Sequence, residues 1–186
     1  MSRNTALLII DVQNRFKKTC EENCIVEKIV HLVKIFRHKN LPTVATQHHD
    51  DPRMTSLLSR WWGNPLNQGS EDWQIVPALR KVLDIEDDLI ITDKTRYDAF
   101  WGTSLRTELL KMGIDTVVIC GALTNLSCES TARGAFMNDF SVIFLSDANA
   151  FTEERFHEAT LTNLEHGFAT IMTCEELLRK YENVSR

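Results

Sequence analysis

The sequence lacks a long hydrophobic run and lacks paired cysteines. The apolar run near its N-terminus ends at Asp11 and is too short for the hydrophobic part of a signal peptide or for a membrane span. Its five cysteines are odd in number and show none of the CxxC spacings that zinc sites use. Free thiols are typical of a reducing compartment. We therefore expect a cytoplasmic protein with no membrane association.

The sequence also lacks a surplus of basic residues. Its formal net charge is −5, and no cluster of lysine and arginine alternates with aromatic residues. A protein that binds nucleic acid or an anionic membrane needs a positive surface facing the phosphate groups. The charge pattern therefore excludes nucleic acid and anionic membranes as partners.

What the sequence does contain is an alternation of short apolar runs with longer helical patterns, which predicts an α/β fold with a mostly parallel sheet. The 186 residues, 43% of them hydrophobic, fit a single domain over residues 1–186. Six buried strands are predicted, at residues 6–10, 43–46, 89–92, 116–120, 142–145 and 169–172.

Helical spacing predicts amphipathic helices between these strands. One apolar stripe consists of Ile25, Ile29, Leu32, Val33 and Phe36. Gly113 is predicted to cap the C-terminus of a helix, and Thr152 to cap the N-terminus of a later one. Residues 47–73 show little periodicity and contain three tryptophans, so this segment is predicted to be a lid on the substrate side.

Polar side chains follow three of the predicted strands. Asp11 comes directly after the first strand, Lys94 comes shortly after the third, and a turn at Gly121 leads from the fourth to Ser127. Ligands of open parallel sheets bind beyond the carboxyl ends of the strands, so these side chains can converge on one site. Each also has a structural interpretation, because an Asp or Ser there often caps a helix and a Lys is often solvated.

Three blocks of the sequence resemble the signatures of the isochorismatase-like cysteine hydrolases. The first is Asp11-Val-Gln-Asn-Arg-Phe16, the second runs from Lys94 to Leu105, and the third runs from Gly121 to Arg133. They occur in the order and at the separations typical of that family. The resemblance implies a three-layer α/β/α Rossmann-like sandwich and a hydrolase for a small-molecule substrate, either an amidase or an isochorismatase that cleaves a vinyl ether.

The same resemblance implies roles for individual residues. Asp11 corresponds to the general acid/base, Lys94 to the cation that lowers the pKa of the nucleophile, and position 127 to the nucleophile. It also implies a cis peptide between Ala122 and Leu123, and an oxyanion hole formed by the backbone N–H groups of Leu123 and Ser127. The chain departs from the amidases in carrying serine at position 127 instead of cysteine.

Helical phase argues against Cys128 as a replacement nucleophile. The residues Cys128, Thr131, Ala132, Ala135 and Phe136 share one helix face, which is typical of a stripe packed against the sheet. Ser127 lies about 100 degrees around the helix from that stripe. Cys128 is therefore interpreted as a small buried residue.

Several interpretations of Ser127 remain at this point. It can be a slow serine nucleophile, a replacement for a natural cysteine, or a bystander in a reaction that needs no covalent step. In that third case Asp11 would protonate a vinyl ether, and Arg96 could hold a carboxylate. The pair Thr124-Asn125 resembles the amidase version of the motif, so we favour hydrolysis of a C–N bond. A catalytically silent member that binds a metabolite or a protein is a further alternative.

The segment after the second strand bears on metal binding, because nicotinamidases hold zinc or iron there. Here it offers His48, His49, Asp50 and Asp51. Adjacent histidines in an extended chain point in different directions and are poor partners for one ion. The prediction is no metal and no other cofactor.

Aromatic residues near the predicted site indicate the substrate. Phe16, Trp62 and Trp101 are predicted to line the pocket, which favours a small planar or partly apolar substrate. An aromatic-rich loop also suits a subunit interface, and relatives generally assemble, so we expect a homo-oligomer, a dimer or a tetramer.

Overall fold

A computed structural model describes residues 4–50, 56–84 and 87–182 of the chain. These residues form an α/β/α sandwich around one parallel sheet with strand order β3-β2-β1-β4-β5-β6. The strands are β1 Thr5–Ile10, β2 Thr43–His48, β3 Leu89–Lys94, β4 Thr116–Ala122, β5 Ser141–Ala150 and β6 Thr170–Met172. The helices are α1 Lys17–Glu22, α2 Ile25–His38, α3 Leu57–Trp62, α4 Pro77–Arg80, α5 Leu105–Lys111, α6 Glu129–Met137, α7 Glu154–Gly167 and α8 Cys174–Glu182. The predicted fold class is confirmed.

Alternation along the central strand divides the core into two halves. In β1, Leu7 and Ile9 face one side of the sheet, while Leu8 and Ile10 face the other. Helices α1, α2, α4 and α8 cover the first side, and α5, α6 and α7 cover the second. Because both faces are covered, all of β1 is buried, as its uninterrupted apolar run predicts.

The predicted stripe on α2 is confirmed, because Ile25, Ile29, Leu32, Val33 and Phe36 are all buried in the first half of the core. Burial of such a side chain stabilises the fold by roughly 1.5–3 kcal/mol. Helix α5 ends at Lys111, and Gly113 beyond it has φ +69°, the left-handed conformation expected just after a helix C-terminus.

Three local predictions need correction. Helix α7 begins at Glu154, so Glu153 and not Thr152 takes the N-cap position, and the Glu153 carboxylate accepts a hydrogen bond from Arg155 Nε at 2.7 Å. Strand β5 extends well beyond residue 145, because a bulge between β4 and β5 lets pairing resume at Asn149. Lys94 is the last residue of β3 instead of following it.

The predicted lid segment is more ordered than its composition suggests. Residues 47 and 48 complete β2, and helix α3 begins after Ser56, whose hydroxyl accepts a hydrogen bond from the Ser59 N–H at 3.1 Å. The carbonyl of Trp73 accepts hydrogen bonds from the side-chain amides of Gln13 and Gln47. Residues 51–55 lie outside the described part of the chain. The segment is therefore held against the ends of β1 and β2 at its C-terminal side.

The strand order indicates where along the sheet a ligand can bind. The chain runs from β1 to β2 on one side and returns to β4 on the other, so β1 and β4 flank the point where the order reverses. In such sheets the crevice at the carboxyl ends of these strands binds ligands. In the residues that the structure describes, no helix is long and apolar enough to cross a membrane.

Candidate active site

The predicted catalytic residues Asp11, Lys94 and Ser127 lie together at the carboxyl ends of β1, β3 and β4. Asp11 directly follows β1 and has φ +49°, an uncommon conformation for a residue other than glycine. Gly121 lies in the neighbouring strand β4, where it pairs with Ile10 of β1, and it has φ +135°. A Cβ atom at position 121 would lie 2.1 Å from the Ile10 carbonyl oxygen, so glycine is required for the two strands to approach this closely. This close approach fixes Asp11 relative to the turn that follows β4.

Asp11 and Lys94 form a buried ion pair. The Lys94 Nζ donates to Asp11 Oδ2 at 2.5 Å, and both side chains are almost completely buried. The other carboxylate oxygen accepts a hydrogen bond from Thr46 Oγ1 at 2.6 Å, and the Thr46 hydroxyl oxygen accepts one from the Asp11 N–H at 3.1 Å. Buried charges need such pairing because desolvation penalises each of them. The pair is therefore held in one geometry by its neighbours.

Ser127 completes the cluster. Its Oγ lies 3.2 Å from Lys94 Nζ, so one ammonium group contacts both the carboxylate and the hydroxyl. Ser127 belongs to a π-helical turn, Thr124–Cys128, that leads directly into α6. The N-terminal turn of a helix presents unpaired N–H groups and a partial positive charge, which stabilise a developing anion.

The turn between β4 and Ser127 has a non-proline cis peptide between Ala122 and Leu123. The Leu123 carbonyl accepts hydrogen bonds from the N–H groups of Leu126 and Cys128, at 3.1 and 3.2 Å. These bonds fix the backbone on both sides of Ser127. The oxyanion hole at the Leu123 and Ser127 N–H groups stays a prediction.

A cavity of about 280 Å³ opens onto Asp11 and Ser127. Its wall is largely apolar, with a few charged and polar groups. The lining residues are Asp11, Arg15, Phe16, His48, Asp50, Leu58, Trp62, Asn64, Leu66, Tyr97, Leu123, Leu126 and Ser127. A cavity of this size and character fits a small molecule next to the Ser127 hydroxyl.

Comparison with known proteins identifies the family. Residues 5–176 match the Isochorismatase domain. The chain belongs to the isochorismatase family. Nicotinamidase 3 of Arabidopsis thaliana is 36% identical over 180 residues, which cover 96% of this chain and 89% of the relative. The Isochorismatase of Bacillus subtilis is 30% identical over 184 residues, covering 95% of this chain and 58% of that protein.

A solved structure of a hydrolase has the same fold as this chain. The cysteine hydrolase from Pseudomonas syringae superposes with a TM-score of 0.88 at 26% identity, covering 97% of this chain and 93% of that one. The chain is thus an isochorismatase-family hydrolase, and the family assignment made from the three sequence blocks is confirmed.

Cys128 is not part of the cavity of this hydrolase. Its side chain is fully buried in the second half of the core, and burial raises the pKa of its thiol well above the usual range. The predicted stripe holds for Cys128, Thr131, Ala132 and Ala135, which are all fully buried. Phe136 is the exception: it is 46% exposed, and its ring packs edge-on against that of Phe168.

Two of the four predicted substrate-binding residues lie in the cavity wall and two do not. Phe16 and Trp62 line the cavity, and the Trp62 indole N–H donates to the Tyr97 hydroxyl at 2.6 Å. Arg96 instead stacks on Trp101, with its guanidinium 4.6 Å from the ring centroid, and donates to the Thr95 carbonyl. Arg96 and Trp101 are therefore not among the described residues that line this cavity, and their role in substrate binding stays a prediction.

Sequence reasoning also missed several residues of the site, among them three with polar side chains. Thr46 orients Asp11, Arg15 lines the cavity, and so does Tyr97. Thr46 ends the predicted second strand, so it belonged to the same edge of the sheet as Asp11. Arg15 and Tyr97 lie inside two of the recognised blocks, but their direction depends on the turns after β1 and β3.

In the described part of the segment at the end of β2, His48 and Asp50 lie near each other. His48 Nε2 lies 3.8 Å from Asp50 Oδ1, while the Asp50 carboxylate accepts hydrogen bonds from Ser59 Oγ at 2.9 Å and from the Leu66 N–H at 2.7 Å. Burial raises the pKa of Asp50, but the nearby His48 and the hydrogen bonds from Leu66 and Ser59 outweigh it and hold the pKa at about 2. Among residues 4–50, 56–84 and 87–182, no three His, Cys, Asp or Glu side chains are placed to bind one ion. Asp51 lies outside the described residues.

Proposed function

We propose that the chain hydrolyses an amide-type C–N bond of a small molecule, with Ser127 Oγ in the attacking position. The observation that carries this proposal is the contact of Lys94 Nζ with both Asp11 Oδ2 and Ser127 Oγ at the floor of the cavity. A nucleophile, a proton acceptor and a cation between them are what acyl transfer requires. The similarity to a nicotinamidase over nearly the whole chain supports a carboxamide substrate.

In the proposed reaction Ser127 Oγ attacks the carbonyl carbon, and its proton reaches Asp11 through Lys94. The negative charge on the former carbonyl oxygen is stabilised by the N–H groups of Leu123 and Ser127. Asp11 then gives the proton to the leaving nitrogen, the C–N bond breaks, and an ester on Ser127 remains. Asp11 removes a proton from water, which attacks that ester; the bond to Ser127 Oγ breaks, the proton returns from Asp11 to Ser127 Oγ, and the acid is released.

Serine sets the expected rate. An alcohol ionises far less readily than a thiol, and an ammonium beside it stabilises a thiolate more effectively than it activates a hydroxyl. We therefore propose that this chain is a slow amidase compared with a variant that carries cysteine at position 127.

A second candidate is the hydrolysis of a vinyl ether without covalent catalysis. The absence of a thiol at position 127 and the similarity to the Bacillus subtilis Isochorismatase favour it. Asp11 would then protonate the vinyl carbon, water would add to the resulting cation, and the ether C–O bond would break. The third candidate is a silent member that binds a small molecule and catalyses nothing.

A paired assay separates these candidates. Wild type, Ser127→Cys and Ser127→Ala are assayed with carboxamides, ureido acids and isochorismate. Amide hydrolysis that rises in Ser127→Cys and disappears in Ser127→Ala supports the proposal. Isochorismate turnover by all three proteins would replace it with the non-covalent reaction. Ligand binding with no turnover in any protein would favour the silent member.

A further inference from the structure

Arg15 lines the cavity but takes no part in the cluster of Asp11, Lys94 and Ser127. It lies in the 3-10 turn Asn14–Phe16, a short distance along the chain from β1 and Asp11. Among the described residues that line the cavity, it is the one with a permanent positive charge. Lys94 lies behind Asp11 and is fully buried, so its charge is already matched.

The Arg15 guanidinium is held from its outer side. Its backbone N–H donates to the Asp72 carbonyl at 2.9 Å, and its Nε donates to Asp72 Oδ2 at 3.0 Å. Its Nη1 also donates to the Asn64 carbonyl at 3.3 Å. A guanidinium has five N–H donors, so three have no partner among the described residues. The group is therefore fixed in orientation while part of its fork is free.

The surroundings show which ligand this fork suits. The Asp72 partner is more than half exposed, and such a surface pair is weak because solvent screens it. Asp50, an acid of the cavity wall, already accepts hydrogen bonds from Ser59 and Leu66. A guanidinium fork binds a planar carboxylate through two parallel hydrogen bonds. Much of the remaining wall, including Phe16 and Leu126, is apolar.

We propose that Arg15 binds a carboxylate of the substrate and thereby selects amides or ureides that carry a free acid group. The inference rests on the proposed C–N hydrolysis for its substrate class, while the binding of an acid at Arg15 can be tested without turnover. The scissile carbonyl would lie at Ser127 and the carboxylate at Arg15, with the apolar wall between them.

The test uses matched pairs of probes that differ only in charge. These are N-carbamoylglycine with its methyl ester, and 4-carbamoylbenzoate with its methyl ester. Calorimetry measures their binding to wild type, Arg15→Gln and Asp72→Asn. Asp72→Asn is the matched control, because it breaks the same surface pair but keeps the guanidinium. Circular dichroism and urea unfolding establish that each variant is folded.

We expect wild type to bind at least one acid more tightly than its ester. Arg15→Gln should weaken binding of that acid by about 10- to 100-fold and leave the ester unchanged, since a charge-assisted hydrogen bond contributes roughly 1.5–3 kcal/mol. Asp72→Asn should bind the acid as tightly as wild type or more tightly.

The outcomes separate this inference from the proposed function. Equal binding of acid and ester in both pairs, or an acid preference that survives in Arg15→Gln, would overturn the role of Arg15. Arg15-dependent acid binding without hydrolysis by wild type or Ser127→Cys would support it while refuting the amidase. If the C–N bond of an ester probe were hydrolysed as efficiently as that of the matching acid, the result would support the amidase and overturn the selection for acids.

Discussion

The ammonium group of Lys94 lies 3.2 Å from the hydroxyl oxygen of Ser127, in a position where it also binds Asp11. Because Lys94 is fully buried, neither partner competes with water for it. The arrangement is suited to stabilise an anion at position 127, yet the residue there is an alcohol with a weak tendency to ionise. This mismatch between the cation and its partner explains why residue 127 is the most informative position to change.

The Lys94–Asp11 pair is predicted to control stability as well as catalysis. Lys94→Met leaves the Asp11 carboxylate buried without its cation, which should lower the free energy of unfolding by about 3–5 kcal/mol. The double variant Asp11→Leu with Lys94→Met removes both charges and should recover most of that loss. Urea unfolding of the two single variants and the double variant measures the coupling. Additive losses would mean that the two side chains do not depend on each other.

Position 127, not position 128, is predicted to hold the reactive site. In Ser127→Cys, iodoacetamide at neutral pH should label the introduced thiol much faster than Cys128, because burial raises the pKa of the Cys128 thiol and excludes the reagent. Peptide mass spectrometry gives the extent of labelling at each position.

Cys24 is exposed and serves as the internal reference for an ordinary thiol. A Lys94→Met change in the Ser127→Cys background should slow labelling at position 127 and leave Cys24 unchanged. If Cys128 were labelled first in the folded protein, the assignment of the site to position 127 would be incorrect.

Much of the fold could be predicted because hydrophobic patterns are local. The stripe of α2 and the unbroken apolar run of β1 each identify an element from neighbouring residues. The bulge in β5 could not be predicted, since Ser146 and Asp147 interrupt the apolar run and indicate its end. Pairing with β4 continues the strand beyond them.

The residues of the site also divide into those that could be predicted from the sequence and those that could not. Asp11 and Lys94 could be predicted because parallel strands bring their carboxyl ends to one edge. The directions of the Arg15 and Arg96 side chains could not be predicted, because each side chain follows a turn and is oriented by a contact that the local pattern does not show. Arg15 is directed by Asp72, and Arg96 by stacking on Trp101. The sequence alone therefore does not tell which of the two arginines lines the cavity.

Gly121 is predicted to be intolerant of any side chain. Gly121→Ala places a methyl group 2.1 Å from the Ile10 carbonyl oxygen, at a φ of +135° that alanine rarely adopts. We expect a loss of about 3 kcal/mol or more in the free energy of unfolding, because β1 and β4 must separate beside Asp11. Gly167→Ala is the matched control, since nothing lies within 4 Å of the methyl group it would add and its φ is ordinary. Thermal and urea unfolding compare the two; similar stabilities would contradict the close approach of the strands.

Asp50 is predicted to make the wall of the cavity sensitive to acid. The nearby His48 and the hydrogen bonds from Leu66 and Ser59 outweigh the effect of burial and lower its pKa from 3.8 to about 2. A carboxyl group whose pKa is lower in the folded than in the unfolded state stabilises the fold fully above the unfolded value and loses that contribution as the pH falls towards the folded value. Wild type should therefore be more stable than Asp50→Asn above about pH 4, and the difference should shrink between about pH 4 and pH 2.

Ser59→Ala removes one of the hydrogen-bond donors to Asp50 and should reduce this difference in stability without abolishing it. Urea unfolding midpoints across this pH range provide the measurement, and a difference between wild type and Asp50→Asn that does not change with pH would show that the carboxylate is not held in this way.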